Sequence, residues 1–265
     1  MPLIEVGQSV RLHYQDEGKG RPLVFIHGFG GGTEWWAPLV KTLVRRFRCV
    51  TLDLRGHGES DKPDVGYTIA DMAKDVAALL EALDLRDVVL VGHSMGAAVA
   101  MRVVLNQRTA RVTRLVSLAG TVPRATVTAT EPWGMDQAMA TGVVAGLRAN
   151  YAATLQALTP ALLFKPDEEI IDGLLASCLR VPPESAAVLM ESAYAEDLRG
   201  HLGALKLPVL LLHSRQDQIG APQWIEYAAA RIPNCRTVWL EASGHYPMLE
   251  EPERVTRALA EFAGE

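Results

Sequence analysis

The chain has 265 residues, of which 49% are hydrophobic and 22% are charged, and its formal net charge is −5. This composition can bury a sizeable core and argues against an intrinsically disordered chain. The acidic balance provides no electrostatic footprint for nucleic acid or an anionic membrane, so neither is expected as a partner.

The three cysteines, Cys49, Cys178 and Cys235, are far apart and lack metal-ligand spacing, so we expect reduced thiols and no metal site. The N-terminus has neither a basic region nor a long apolar segment, and no apolar run reaches the roughly 18 residues that a membrane span needs. The sequence therefore favours a cytoplasmic protein, with a leader removed before the first residue as the alternative.

Short apolar runs recur along the chain and alternate with helical patterns. Runs rich in Val, Ile and Leu are typical of strands that helices cover on both faces of a mostly parallel sheet. Six such runs predict strands: Pro22–Ile26, Cys49–Leu52, Val88–Val91, Leu115–Leu118, Val209–Leu212 and Thr237–Leu240. A seventh run, Val10–Tyr14, alternates apolar and polar residues and predicts a half-buried strand.

Helix starts lie between several of these runs. Thr68, with Asp71 three residues later, predicts a capped helix, and Pro252 begins the pattern of a last helix. Residues 121–199 contain no strand-like run, but helix starts are predicted at 131–133, 165–169 and 181–184. We therefore expect a core of residues 1–120 and 200–265, with residues 121–199 forming a helical cap over the C-terminal edge of the sheet, where ligands bind in open α/β sheets.

The segment Gly92-His93-Ser94-Met95-Gly96 lies between a predicted strand and a run of small, helix-forming residues. This is the G-x-S-x-G pattern in the context that it requires, a strained turn that exposes a serine hydroxyl. Glycines flank the serine because strand and helix approach closely there. The pattern predicts Ser94 as a nucleophile, against the alternative of a glycine-rich turn with an idle serine.

A nucleophilic serine needs a histidine base, and the base needs an orienting carboxylate. After such a turn the acid precedes the histidine along the chain. His245 follows the last predicted strand and Asp217 follows the one before it, so both are expected at the same sheet edge as Ser94. We therefore predict Asp217 and His245 as its partners, in preference to His201 and His213.

A glycine-rich segment, His27-Gly28-Phe29-Gly30-Gly31-Gly32, follows the strand 22–26. The backbone N–H groups of Phe29 and Met95 are predicted to form an oxyanion hole. A phosphate-binding loop is disfavoured because neither G-x-G-x-x-G nor G-K-[ST] is present. His57, which lies between two glycines, is expected to belong to a structural turn.

Together these segments, with Asp53–Ser60 and Gly244-His245, resemble the α/β-hydrolase superfamily, and specifically its compact branch with a helical cap. The resemblance spans nearly the whole chain and is weakest across the cap. It implies an eight-stranded, mostly parallel sheet whose second strand is antiparallel, with helices on both faces.

The residues at the turn narrow the choice within this family. Epoxide hydrolases and haloalkane dehalogenases have aspartate where this chain has Ser94, and carbon–carbon hydrolases usually have asparagine where this chain has His93. The resemblance therefore favours a serine carboxylesterase acting on a small-molecule ester without a cofactor. Lactone or enol-lactone hydrolysis, carbon–carbon hydrolysis, a cofactor-free oxygenase and a receptor without turnover stay open.

The substrate pocket is expected to be apolar, because aromatic and methionine residues are frequent in the segments that surround the predicted site. A small-to-medium acyl group fits this expectation. The residues predicted to line the pocket are Gly28, Trp36, Trp133, Met139, Tyr194 and Met248.

Overall fold

A computed structural model of the chain describes residues 2–7, 10–106 and 110–265. Within these residues, eight strands form one sheet in the order β1-β2-β4-β3-β5-β6-β7-β8. The strands are β1 (Leu3–Glu5), β2 (Arg11–Gly18), β3 (Pro22–Ile26), β4 (Arg48–Leu52), β5 (Val88–His93), β6 (Val112–Leu118), β7 (Val209–Ser214) and β8 (Cys235–Leu240).

The second strand, β2, pairs antiparallel with both of its neighbours, whereas every pair from β4 to β8 is parallel. The predicted sheet is thus confirmed, and all seven runs read from the sequence are strands. The short edge strand β1 was not among them.

Helices cover both faces of the sheet. Along β3, Val24 and Ile26 pack into one core cluster with the helices α2 (Ile69–Ala82) and α3 (Met95–Leu105), whereas Leu23 and Phe25 pack into the other with α1 (Ala37–Leu43) and α10 (Pro252–Gly264). The helices are α1 (Ala37–Leu43), α2 (Ile69–Ala82), α3 (Met95–Leu105), α4 (Gln137–Ala149), α5 (Tyr151–Leu158), α6 (Glu168–Cys178), α7 (Pro183–Ala195), α8 (Pro222–Ala229), α9 (Pro247–Glu250) and α10 (Pro252–Gly264). Short 3₁₀ helices occur at Thr33–Trp36, Thr159–Leu162 and Arg199–Ala204.

The chain between β6 and β7 carries α4 to α7 and, in place of a strand, one isolated bridge between Thr126 and Met135. The helix start predicted at 131–133 is wrong: α4 begins at Gln137, and the Asp136 side chain accepts a hydrogen bond from the Met139 N–H at its N-terminus. The reason is tertiary, since the Trp133 ring packs edge-on against Trp224 at 5.2 Å between centroids.

The other predicted helix starts are confirmed. The Thr68 hydroxyl accepts the Asp71 N–H at the start of α2, and α10 begins at Pro252. Across residues 2–7, 10–106 and 110–265, no helix has both the length and the apolar character needed to cross a membrane.

Candidate active site

Ser94 lies on a tight turn between β5 and α3, with a left-handed backbone of φ 53° and ψ −123°. A non-glycine residue in this region is strained, and such strain is typical of functional sites. The two flanking glycines make the turn possible: a Cβ on Gly92 would clash with the Gly96 carbonyl oxygen, and one on Gly96 would clash with the backbone of Ile26. The sharp turn thus presents the serine hydroxyl at the carboxyl edge of the sheet.

Three side chains from separate loops meet at this edge. The Ser94 Oγ lies 2.8 Å from His245 Nε2, and His245 Nδ1 lies 2.9 Å from an Asp217 carboxylate oxygen. The tautomer that satisfies both bonds carries its proton on Nδ1, so Nε2 is free to accept the serine proton. All three residues are buried. The geometry is that of a nucleophile, a base and an orienting acid.

The Asp217 carboxylate is stabilised in its charged form. Burial by itself would raise the pKa of Asp217, but the interactions with His245 and His213 and the hydrogen bond from the Ile219 N–H together outweigh burial, and the pKa is lowered. The N–H groups of Ile219 and Gly220 also donate to this carboxylate at 2.8 and 3.1 Å. Asp217 therefore stays ionised and keeps the His245 ring oriented.

The loop that carries His245 is held by bonds to other segments. The His245 N–H donates to the Leu162 carbonyl oxygen at 2.7 Å. The Glu250 carboxylate accepts from the Gly244 N–H at 2.8 Å and from the Phe164 N–H at 2.7 Å. Burial raises the pKa of Glu250 despite these bonds. No local sequence pattern indicates Glu250, because its partners, Gly244 and Phe164, lie in two loops far apart along the chain.

The glycine-rich loop after β3 borders Ser94. A Cβ on Gly28 would lie 2.8 Å from the Ser94 Cβ, so the backbone of this loop passes directly beside the serine. Phe29 and Met95 both line the cavity that contains Ser94. The Met95 N–H opens α3 and is among the first N–H groups of a helix, which lack intrahelical acceptors.

The remaining candidate histidines have other surroundings. His57 is buried in a turn, where its ring bonds the Arg55 carbonyl oxygen at 2.9 Å, and burial lowers its pKa to about 3. His213 is buried beneath the Asp217 loop and bonds the Gly220 carbonyl oxygen at 2.7 Å. His201 is exposed. The structure brings none of these rings within hydrogen-bond distance of Ser94.

An apolar cavity of about 130 Å³ contains Ser94 and His245 in its lining. The lining includes no Lys, Arg, Asp or Glu among the described residues. Most of its lining residues belong to the segment 121–199, and those on helices α4 to α7 include Met139, Val143, Leu147, Leu155, Leu158, Cys178, Met190 and Tyr194.

Of the predicted pocket residues, Met139 and Tyr194 line this cavity, and the other four do not. Trp36 and Met248 are fully buried in the core below the sheet edge. Trp133 faces Trp224, whose indole N–H donates to the Trp133 carbonyl oxygen. Gly28 packs against Ser94 outside the lining. Residue type alone does not distinguish a core aromatic from a pocket aromatic.

Comparison with known proteins agrees with this fold. A family model described as alpha/beta hydrolase fold matches residues 21–252. The AB hydrolase superfamily protein YisY of Bacillus subtilis is 31% identical over 262 residues, which cover 98% of each chain. A pimeloyl-(acyl-carrier protein) methyl ester esterase of Nitrosomonas europaea is 33% identical over 92% of this chain and 96% of its own. A non-heme chloroperoxidase of Streptomyces lividans is 29% identical over 99% of each chain.

Among solved structures, an esterase from Exiguobacterium antarcticum superposes with a TM-score of 0.95 at 24% identity and covers 99% of both chains. At that identity the superposition shows the fold alone. The chain belongs to the α/β-hydrolase fold family. Membership supports an enzyme with hydrolase activity.

Proposed function

We propose that the chain is a serine hydrolase that cleaves carboxylic esters with an apolar acyl group, through an acyl-enzyme on Ser94. The observation that carries this proposal is the unbroken chain of hydrogen bonds from Ser94 through His245 to Asp217, set in an apolar cavity. A relative named as a methyl ester esterase supports the same class of bond.

In the proposed reaction, Ser94 Oγ attacks the ester carbonyl carbon while His245 Nε2 accepts its proton. The oxyanion is held by the N–H groups of Phe29 and Met95, and loss of one such donor typically costs about 10²–10³ in turnover. His245 then protonates the leaving alcohol. Water, deprotonated by His245, finally releases the acid from Ser94.

We also propose that residues 121–199 act as a cap that supplies the acyl pocket, on a core of residues 1–120 and 200–265. This segment contributes most of the residues that line the cavity. Because these walls are apolar and uncharged, they favour an uncharged acyl group over a polyanionic one.

The test is an ester panel of varied acyl length, with lactones and a vinylogous diketone included, run on the wild type and on Ser94→Ala. We expect ester hydrolysis by the wild type and only background rates from Ser94→Ala. A fluorophosphonate should label the wild type at Ser94. Ser117→Ala is the matched control, because Ser117 is a buried serine on the neighbouring strand whose hydroxyl bonds no described residue.

The outcomes separate the alternatives. Preference for a lactone or for the diketone would reassign the bond that is cleaved while keeping the nucleophile. Ligand binding without turnover would indicate a receptor. Activity that requires oxygen, in a protein that a fluorophosphonate does not label, would indicate an oxygenase. Equal hydrolysis by the wild type and Ser94→Ala would refute the proposal.

A further inference from the structure

His93, the residue directly before the nucleophile, makes a contact that the proposed reaction does not use. Its Nε2–H donates to the carbonyl oxygen of His245 at 2.7 Å, and the two ring centroids are 5.1 Å apart. We propose that His93 is a positioning residue that holds the backbone of His245 in register with Ser94. The inference rests on the proposed role of His245 as the base.

The contact joins the end of β5, directly before Ser94, to the loop that carries His245. His93 ends β5 and is continuous with the turn of Ser94, so its ring moves with the nucleophile. The His245 carbonyl belongs to the loop after β8, which is 151 residues further along the chain than Ser94. One hydrogen bond therefore links the backbone position of the base directly to the nucleophile turn.

The His93 ring is fixed on several sides. Only 1% of His93 is exposed, and the rings of Tyr246 and Trp35 have centroids 5.4 and 6.0 Å from its own. On another side, a Cβ on Gly28 would lie 2.9 Å from His93 Nδ1. Burial, together with the nearby charge of His245, lowers the pKa of His93 to about 3. The ring is therefore neutral at neutral pH and keeps its one proton on Nε2, where the bond requires it.

Both backbone polar groups of His245 are engaged by distant segments. Its N–H donates to Leu162 at 2.7 Å, and its carbonyl accepts from His93. Loss of the His93 donor leaves a buried carbonyl unsatisfied, which favours displacement of the loop toward another donor. A displacement of about 1 Å between reacting groups costs on the order of 100-fold in rate. The bond therefore affects turnover even though His93 exchanges no proton with substrate.

The experiment compares three substitutions at His93. In glutamine, the side-chain nitrogen reaches the position of the imidazole Nε2, whereas in asparagine it stops at the position of Nδ1, and leucine has no donor. We expect His93→Asn and His93→Leu to lower kcat by about 10- to 100-fold. His93→Gln should retain kcat within about fivefold of the wild type. KM should change less than kcat in all three, because His93 is one of many residues that line the cavity and the walls from α4 to α7 are unchanged.

His13→Leu is the control, because His13 is a buried histidine on β2 that bonds Asp53 and no residue of the site. We expect it to lower the midpoint of thermal unfolding while leaving kcat unchanged. If His93→Leu does not fold, a higher kcat for His93→Gln than for His93→Asn still supports the positioning role. Equal kcat for Gln and Asn, or wild-type kcat in Leu, would overturn the positioning role.

The proposed function can fail separately. If the wild type hydrolyses esters and Ser94→Ala does not, the function stands whatever the His93 variants show. The rate of fluorophosphonate labelling at Ser94, measured in every variant, should follow kcat. A wild type that neither hydrolyses esters nor is labelled by the fluorophosphonate would refute both proposals together.

Discussion

Acyl-chain length gives the sharpest test of the proposed pocket. The cavity beside Ser94 measures about 130 Å³ and is walled by apolar side chains. A cavity of about 150 Å³ with similar walls accommodates benzene, so the pocket should accept an acyl group of about six carbons. Each buried methylene contributes about 0.8 kcal/mol, or about fourfold in kcat/KM. From acetate to hexanoate, four added methylenes therefore give at most about 200-fold.

The perturbation is Val143→Phe, on α4, which adds volume to the cavity wall. We expect it to lower kcat/KM for hexanoate by more than about tenfold, because it removes the space for roughly three methylenes, and to leave acetate within about twofold. Ala145→Phe is the control, because Ala145 is exposed on the same helix and borders a separate surface groove.

The assay measures kcat/KM with p-nitrophenyl esters from acetate to decanoate. For the wild type we expect a rise up to hexanoate and a fall beyond octanoate. A profile that is flat, or that still rises at decanoate, would refute the inference from cavity volume. An equal effect of Val143→Phe and Ala145→Phe would show that α4, and not the cavity, sets the preference.

Three further predictions concern catalysis and stability. Asp217→Asn should lower kcat by about 10⁴-fold with unchanged circular dichroism, because an amide can stabilise the wrong tautomer of the base. Gly92→Ala should lower the free energy of unfolding in urea by several kcal/mol, because the added Cβ clashes with the backbone. Gly173→Ala should raise the same free energy by about 0.5–1 kcal/mol, because Gly173 lies on an exposed face of α6 with open space around it. The pKa of His57 is about 3 in the folded state and 6.5 in the unfolded state. Below pH 6.5 the unfolded state therefore binds a proton at His57 that the native state does not bind. The contribution of His57 to the free energy of unfolding therefore falls by about 2 kcal/mol from pH 7 to pH 5. His57→Gln should reduce the pH dependence of the free energy of unfolding by that amount, and an unchanged pH dependence would contradict the prediction.

Most of the fold was predictable because the buried parallel strands consist of continuous runs of apolar residues. All residues of β3 are buried, and its predicted and observed bounds are the same, Pro22–Ile26. The strand β1 was missed for the opposite reason. It has only three residues, mostly exposed, and it is a strand because its backbone pairs with β2.

The candidate site was predictable where sequence spacing fixes geometry. The positions of Ser94, Asp217 and His245 follow from the order of three strand ends at one edge of a parallel sheet. The pocket was not predictable in the same way. Whether Trp133 faces the cavity or Trp224 depends on the path of an irregular segment after β6, and no residue periodicity describes such a path.

The contacts of residues 121–199 explain why this segment influences more than the shape of the pocket. Its Leu162 carbonyl accepts the N–H of His245, and its Ser177 hydroxyl lies 2.8 Å from the Gly30 carbonyl oxygen in the glycine-rich loop. Both loops that border Ser94 are therefore bonded to the segment that also supplies the apolar walls. A change that displaces these two contacts should alter the support of the two loops, and through them the alignment of His245, whereas a substitution confined to the cavity wall, such as Val143→Phe, leaves both contacts in place. We therefore expect acyl preference and turnover to change together only when a substitution in this segment disturbs both the cavity walls and these two contacts.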